Sequence, residues 1–221
     1  MRIGIIGAGS MGTALALRWA ADGHDVLLGS RDRAKAARAA ASAIGSVRTG
    51  SADDAAAFGD AVLYTVRKVL PSRLLGNPAA LDGKILIDCN NSDVLGIEAP
   101  DPKNRPGIHF ETPSLSLAEQ MQADVPEAVV VKAFNTIPAQ LLAIDRAELA
   151  RQTISAFVCS DSDDARRLVS GLAEELGFVT VDCGGLDRAN LLETLADLLR
   201  LQIIEGGHGP YTSLSLLKIP R

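Results

Sequence analysis

Residues 7–12 read Gly-Ala-Gly-Ser-Met-Gly, directly after the apolar run RIGII and directly before the helical run TALALRWAADG. A lone GxGxxG constrains little. Placed between a strand and a helix, with a second strand within about 20 residues, it specifies a βαβ unit built to take a dinucleotide pyrophosphate. Gly7 then permits the tight turn, Gly9 lets backbone approach the phosphates, and Gly12 lets the helix pack on the strand. The N–H groups of the helix start, at Ser10 and Met11, face the anion.

The rest of the chain repeats the alternation. Short apolar runs predict strands over 2–6, 25–29, 61–66, 84–88, 128–134, 154–159 and 178–182. Alanine- and leucine-rich stretches predict helices over 10–22, 32–44, 70–79, 116–123, 138–150 (broken), 162–176 and 187–205. Nearly continuous apolar strands separated by helices imply an α/β fold of the Rossmann type: a doubly wound, mainly parallel sheet with helices on both faces. No linker divides the 221 residues, so a single dinucleotide-binding domain is expected, with 151–221 extending the same sheet and ending in a helix. The long irregular stretch 89–115 is proline-rich and follows the fourth predicted strand; such loops in compact domains are commonly functional.

The end of the second strand selects the cofactor. An acidic residue there would bind a ribose hydroxyl and repel a 2′-phosphate. This chain has Gly29-Ser30-Arg31, with Arg33 and Lys35 close behind. Bases at a helix start oppose the dipole unless an anion sits among them. Ser30, Arg31 and Lys35 are therefore expected to hold the 2′-phosphate of NADP, with Arg33 as a further candidate. The alternative is a set of solvated bases beside Asp32 as helix cap.

Apolar residues make up 47% and charged residues 22% of the chain, as in an ordinary packed globule, and the net charge of −5 argues against nucleic acid or an anionic membrane as partner. No run reaches the roughly 18 apolar residues that a membrane-spanning helix needs. Cys89, Cys159 and Cys183 show no metal-ligand spacing, so no metal is expected. The N-terminus enters a strand without signal-peptide architecture, which fits the cytoplasm.

The combination of "IGIIGAGSMGTALA", "GSRD-x-x-K" and "KAFNTIPA" (132–139) resembles the deazaflavin (coenzyme F420)-dependent NADP oxidoreductase family along the whole length. The fold is also similar to the NADPH-binding domain of the six-transmembrane metalloreductases and to the N-terminal half of pyrroline-carboxylate reductases. The resemblance implies hydride transfer between NADPH and a deazaflavin. It implies that Val66 and Arg67 line the nicotinamide ribose, and that "CNNS" (with Asn90 and Asn91) and "AFNTIP" (with Phe134, Asn135 and Thr136) frame the nicotinamide and its acceptor. It also places the C-terminal glycine-rich stretch, with His208, near the acceptor. The sequence departs from that pattern at Val66-Arg67-Lys68, where the family carries an apolar turn, and at Asn135, where it carries His.

A flavin-like acceptor needs no strong protein acid, because its ring nitrogen can take a proton from solvent. Asn135, Thr136 and His208 are the candidate catalytic residues. Lys132, alone in an apolar strand, needs a partner: it is either a proton donor or a sheet-edge lysine. His109 is a further candidate in the long loop, and His24 reads as a turn residue. Two other functions stay open: an NADPH-dependent reductase of a small carbonyl or imine, with Lys132 or His208 as acid, and an NADP-binding sensor without turnover. The last helix carries Leu191, Leu192, Leu195, Leu198, Leu199 and Ile203, a stripe wide enough for core packing and part of a homodimer interface.

Overall fold

The computed structural model describes residues 1–92 and 115–219. Six parallel strands form the main sheet in the order β3-β2-β1-β4-β5-β6. They are β1 (Arg2–Ile6), β2 (Asp25–Gly29), β3 (Val47–Gly50), β4 (Ala61–Tyr64), β5 (Ile85–Asp88) and β6 (Val129–Lys132). The chain reverses its direction of travel between β1 and β4, the switch point at which open α/β sheets bind ligands beyond the carboxyl ends of the strands.

Alternate residues of the central strands feed two cores. Ile3, Ile5, Leu63, Ile87 and Val131 pack with α1 (Ser10–Ala21), α2 (Arg33–Ala40) and α7 (Asp163–Glu175), around the wholly buried Trp19. Ile6, Val62, Tyr64, Leu86 and Val130 pack on the other face with α3 (Ala52–Phe58), α5 (Leu117–Asp124) and α8 (Ala189–Ile204). Helices cover both faces, as the apolar strands require.

Two elements escaped the sequence reading. β3 has the sequence VRTG, is only four residues long and lies at the sheet edge, where alternation has no buried face to follow. α3 is short and alanine-rich, and its start is fixed by a capping box between Ser51 and Asp54. The predicted helix 32–44 stops at Ala40, and 70–79 resolves into α4 (Pro71–Leu74) and a 3-10 turn at Pro78–Leu81. The broken helix of 138–150 is a 3-10 turn, Ala139–Ala143, followed by α6 (Arg146–Gln152).

The last third does not continue the main ladder. β7 (Ser155–Val158) and β8 (Val179–Asp182) pair in parallel with each other as a separate two-stranded sheet. A single antiparallel bridge between Lys132 and Cys159 ties it to β6. The chain meets β6 running the opposite way and diverges after one residue pair, so no parallel register can form. Among the described residues no helix is long and apolar enough to cross a membrane.

Candidate active site: a dinucleotide cleft and an adjoining cavity

The glycine loop leaves β1 with Gly7 at φ +113°, a left-handed conformation that favours glycine. A Cβ at Gly7 would strike Thr65 Oγ1 at 2.3 Å, and one at Gly12 would lie 2.0 Å from the Gly7 carbonyl oxygen. The Thr65 hydroxyl donates to the carbonyls of Ile6 and Gly7 at 3.0 and 3.1 Å, fixing the turn from the β4 side. Gly9 is different. Nothing lies within 4 Å of where its Cβ would stand. The described residues give no packing reason for glycine there, and the open space would admit a ligand close to the backbone. Gly9 is also the N-cap of α1, and no side chain caps that helix, whereas Asp32, Ser51, Ser116, Asp145 and Ser162 cap theirs. Its first amides are available to an anion.

Beyond this loop opens a cavity of about 580 Å³, with Gly7, Gly9, Ser30, Arg31, Lys35 and Val66 among its walls. Ser30 Oγ accepts from Asp32 N at 3.1 Å, and Asp32 Oδ1 accepts from Lys35 N at 2.9 Å. Asp32 therefore caps α2, and it lines the cavity together with the flanking Arg31 and Lys35. Arg33 is exposed and outside that lining. Ser10 is exposed at the first turn of α1.

A second cavity, about 290 Å³, adjoins it over β4, β5 and β6. Met11 of α1 and Thr65 and Arg67 after β4 form one side. Cys89, Asn90 and Asn91 after β5 form the floor, with Asn135, Thr136, Ile137 and Pro138 after β6. Ala196, Leu199, Arg200 and Ile203, one face of α8, close the far wall. The asparagines are locked: Asn90 Nδ2 donates to Tyr64 O and Asp88 Oδ1, Asn91 Nδ2 to Asn135 O, and Asn135 Nδ2 to Asn91 Oδ1 and Leu192 O. Asn135 Oδ1 and Thr136 Oγ1 have no partner among the described residues, although their residues are only 7% and 2% exposed. Buried orphan groups lining a cavity are what a polar ligand would satisfy. A carboxamide, with one acceptor and two donors, fits that pair. Burial pushes the Cys89 thiol up to about 12, with Asp88 adding to the shift.

Behind this cavity lies a buried ionic cluster. Lys132 Nζ donates to Asp88 Oδ2 (2.8 Å), Glu193 Oε1 (2.6 Å) and the Asn90 carbonyl (2.6 Å). All three ammonium protons are used, and the side chain has no exposed surface. Burial alone would push Lys132 down, but the Asp88 and Glu193 carboxylates outweigh it and hold the ammonium above its ordinary value. Lys132 thus stands on β6, the end strand of the main sheet, as the sheet-edge alternative had it, but buried and with every N–H committed rather than poised as a proton donor. Glu193 also accepts from Ser92 N and Oγ and from Leu117 N, so α8 holds both the end of the β5 loop and the start of α5.

Gly7, Gly9, Ser30, Arg31, Lys35 and Val66 line the 580 Å³ cavity, and Met11, Arg67, Asn90, Asn91, Asn135 and Thr136 line the 290 Å³ one; Gly12 is buried and lines neither. Two expected site residues fall elsewhere. Phe134 is 1% exposed and packs edge-on against Trp19, ring centroids 5.8 Å apart. Its φ of +61° turns the ring into the core and the next three residues toward the cavity. His208 is exposed on the turn after α8 and is not part of the cavity wall. His24 pairs with Glu175 at 2.7 Å, far from the cleft. His109 lies outside the described residues. Sequence reasoning missed Thr65, Asp88, Glu193 and Arg200. The available signal was the set of charges at 193, 197 and 200, three to four residues apart within a leucine-rich helix.

The family described as NADP oxidoreductase, coenzyme F420-dependent, matches residues 2–92. Over 215 residues the chain is 32% identical to the F420-dependent NADP reductase of Methanothermobacter thermautotrophicus, covering 90% of this chain and 88% of that protein. Metalloreductase STEAP2 of Mus musculus is 28% identical over 193 residues, which is 87% of this chain and 35% of that protein. A crystal structure from Arthrobacter sp. FB24, assigned as an F420-dependent NADP-reductase, superposes with a TM-score of 0.77 at 26% identity, covering 99% of this chain and 100% of the other. The uncapped glycine loop, the basic cavity at the end of β2 and this similarity over nearly the full length converge on one conclusion: the chain belongs to the coenzyme F420-dependent NADP oxidoreductase family and is an NADP-dependent oxidoreductase.

Proposed function

We propose that this enzyme moves a hydride between NADPH and a flavin-like or deazaflavin ring, with the nicotinamide and the ring meeting in the 290 Å³ cavity. The observation that carries the reading is the chemistry of the wall. Among the described residues it holds amides, two hydroxyls, aliphatic groups, a thioether, two guanidiniums and a thiol raised to about 12. None of these gives up a proton near neutral pH. Reducing a carbonyl or imine calls for such a donor, and Lys132, the candidate acid, has every N–H committed. A flavin-type ring needs only close approach and exclusion of water.

Bound NADPH would supply the hydride. Gly7 to Gly12 would hold its pyrophosphate, Ser30, Arg31 and Lys35 its 2′-phosphate, and Asn135 Oδ1 and Thr136 Oγ1 its carboxamide. His208 keeps no role in this scheme. The three thiols fit the reducing cytoplasm. The outer stripe of α8, with Leu191 and Leu198 65% and 50% exposed, is the face we assign to a second copy, which sedimentation velocity would test.

Titrating the purified protein with NADPH and NADH, then adding FMN, riboflavin or a deazaflavin while following absorbance at 340 nm, tests the reading. Preferential NADPH binding followed by rapid oxidation with one ring acceptor is expected. Oxidation only by small carbonyls or imines would overturn it.

A further inference from the structure

The Asp88–Lys132–Glu193 cluster combines two carboxylates with one ammonium, a formal charge of −1 − 1 + 1 = −1. All three side chains are at most 1% exposed, so solvent does not screen that charge. Among the described residues, the remaining hydrogen-bond donors on the carboxylates are neutral: Asn90 N and Nδ2 on Asp88, and Ser92 N and Oγ and Leu117 N on Glu193.

The cluster stands directly behind the cavity. Asn90, whose carbonyl accepts from Lys132, is part of the cavity wall, and so is Ala196, one turn along α8 from Glu193. Of the two cations in that wall, Arg200 is paired with Asp197 at 3.3 Å and Arg67 is exposed to solvent. Among the described residues, the excess buried charge behind the cavity floor is therefore negative.

Hydride loss changes the charge of the nicotinamide. The C4–H bond breaks with both electrons leaving on the hydrogen, and the neutral dihydropyridine becomes a pyridinium. The hydride would form an N–H bond at N5 of a flavin ring or a C–H bond at C5 of a deazaflavin, and the reduced ring would take its proton from solvent. A fixed negative charge behind the cavity stabilises the pyridinium side of this exchange.

We propose that the net charge of the Asp88–Lys132–Glu193 cluster biases the bound cofactor toward its oxidised, cationic form, and so favours hydride release from NADPH. This rests on the reading that the nicotinamide enters the 290 Å³ cavity. In a medium of effective dielectric near 20, one unit charge about 10 Å away alters such a preference by roughly three- to twentyfold.

The test is a pair of binding titrations, NADP+ and NADPH, on the wild-type chain and on Glu193→Gln and Asp88→Asn. Each substitution keeps an oxygen acceptor for Lys132 and brings the cluster to zero charge. The expected result is a Kd for NADP+ raised about three- to twentyfold, with the Kd for NADPH changed by less than roughly twofold. Equal shifts in both, as a purely structural role would give, overturn the proposal, as does no shift in either. Should neither variant fold, the wild-type ratio decides. NADP+ bound at least as tightly as NADPH supports the proposal, and NADP+ bound more than about tenfold more weakly overturns it. Failure of NADPH to bind at all would instead overturn the function reading, so the two failures are distinguishable.

Discussion

Lys132 Nζ lies 2.6 Å from Glu193 Oε1, and this buried pair ties the last strand of the main sheet to the C-terminal helix. The same ammonium holds Asp88 at the end of β5. Three elements that border the cavity are thus fixed by one nitrogen.

Lys132→Met leaves two carboxylates buried without a counter-charge. A loss of about 3–5 kcal/mol is expected in urea unfolding. Adding Asp88→Asn and Glu193→Gln to Lys132→Met should restore part of it. The pH dependence follows from the direction of the Lys132 shift. Its folded value lies above its ordinary 10.5, so its contribution is complete below that pH and is lost as pH rises through the folded value. Wild-type melting curves should fall off in that alkaline range, and Lys132→Met should lack that limb.

Gly9 and Gly12 should separate ligand from fold. At Gly9 φ is −78° and a Cβ meets nothing, so Gly9→Ala should leave stability within about 1 kcal/mol while weakening NADPH binding at least roughly tenfold. At Gly12 the new Cβ would sit 2.0 Å from the Gly7 carbonyl oxygen, so Gly12→Ala should cost about 3 kcal/mol or more. Thermal melts beside cofactor titrations would read both. A Gly9→Ala protein that binds NADPH normally would count against the cleft assignment.

Thr136→Val replaces a hydroxyl that has no partner with a methyl of similar shape. The free protein should be as stable or more so, by about 1 kcal/mol, because an unsatisfied buried group is removed. NADPH should bind roughly fivefold more weakly if that hydroxyl serves the carboxamide. Denaturant curves and a fluorescence titration on the same preparation check the two together.

Arg31→Asp exchanges a phosphate partner for a repelling charge on the wall of the 580 Å³ cavity. NADPH affinity should drop at least about tenfold, with NADH affinity changed by less than roughly twofold. Equal losses would mean that Arg31 serves the fold or the pyrophosphate and not the 2′-phosphate.

The main strands and the longest helices were legible because their cause is local. Ile3, Ile5, Val62, Leu86 and Val130 lie in continuous apolar runs that suit burial on both faces of a sheet, and Gly7, Gly9 and Gly12 carry their spacing in plain view. The end of β2 was legible for the same reason: Ser30, Arg31 and Lys35 are neighbours in sequence and line one cavity. Where local signal was weak, reading failed. β3 offered only Val47 to Gly50 at an exposed edge, and α3 only alanines behind Ser51.

Sequence alone therefore determined the dinucleotide βαβ unit, the basic end of β2 and the two-faced sheet, all set by periodicity and neighbouring residue types. Only the tertiary structure decided what Lys132 does, that Phe134 turns inward onto Trp19, that His208 stands apart from the cavity, and that Glu193 belongs to the site. Asp88, Lys132 and Glu193 come together from two strands and a helix far apart in the chain. Their meaning arises from burial and net charge at the meeting point, which are properties of the packed molecule and of no single segment.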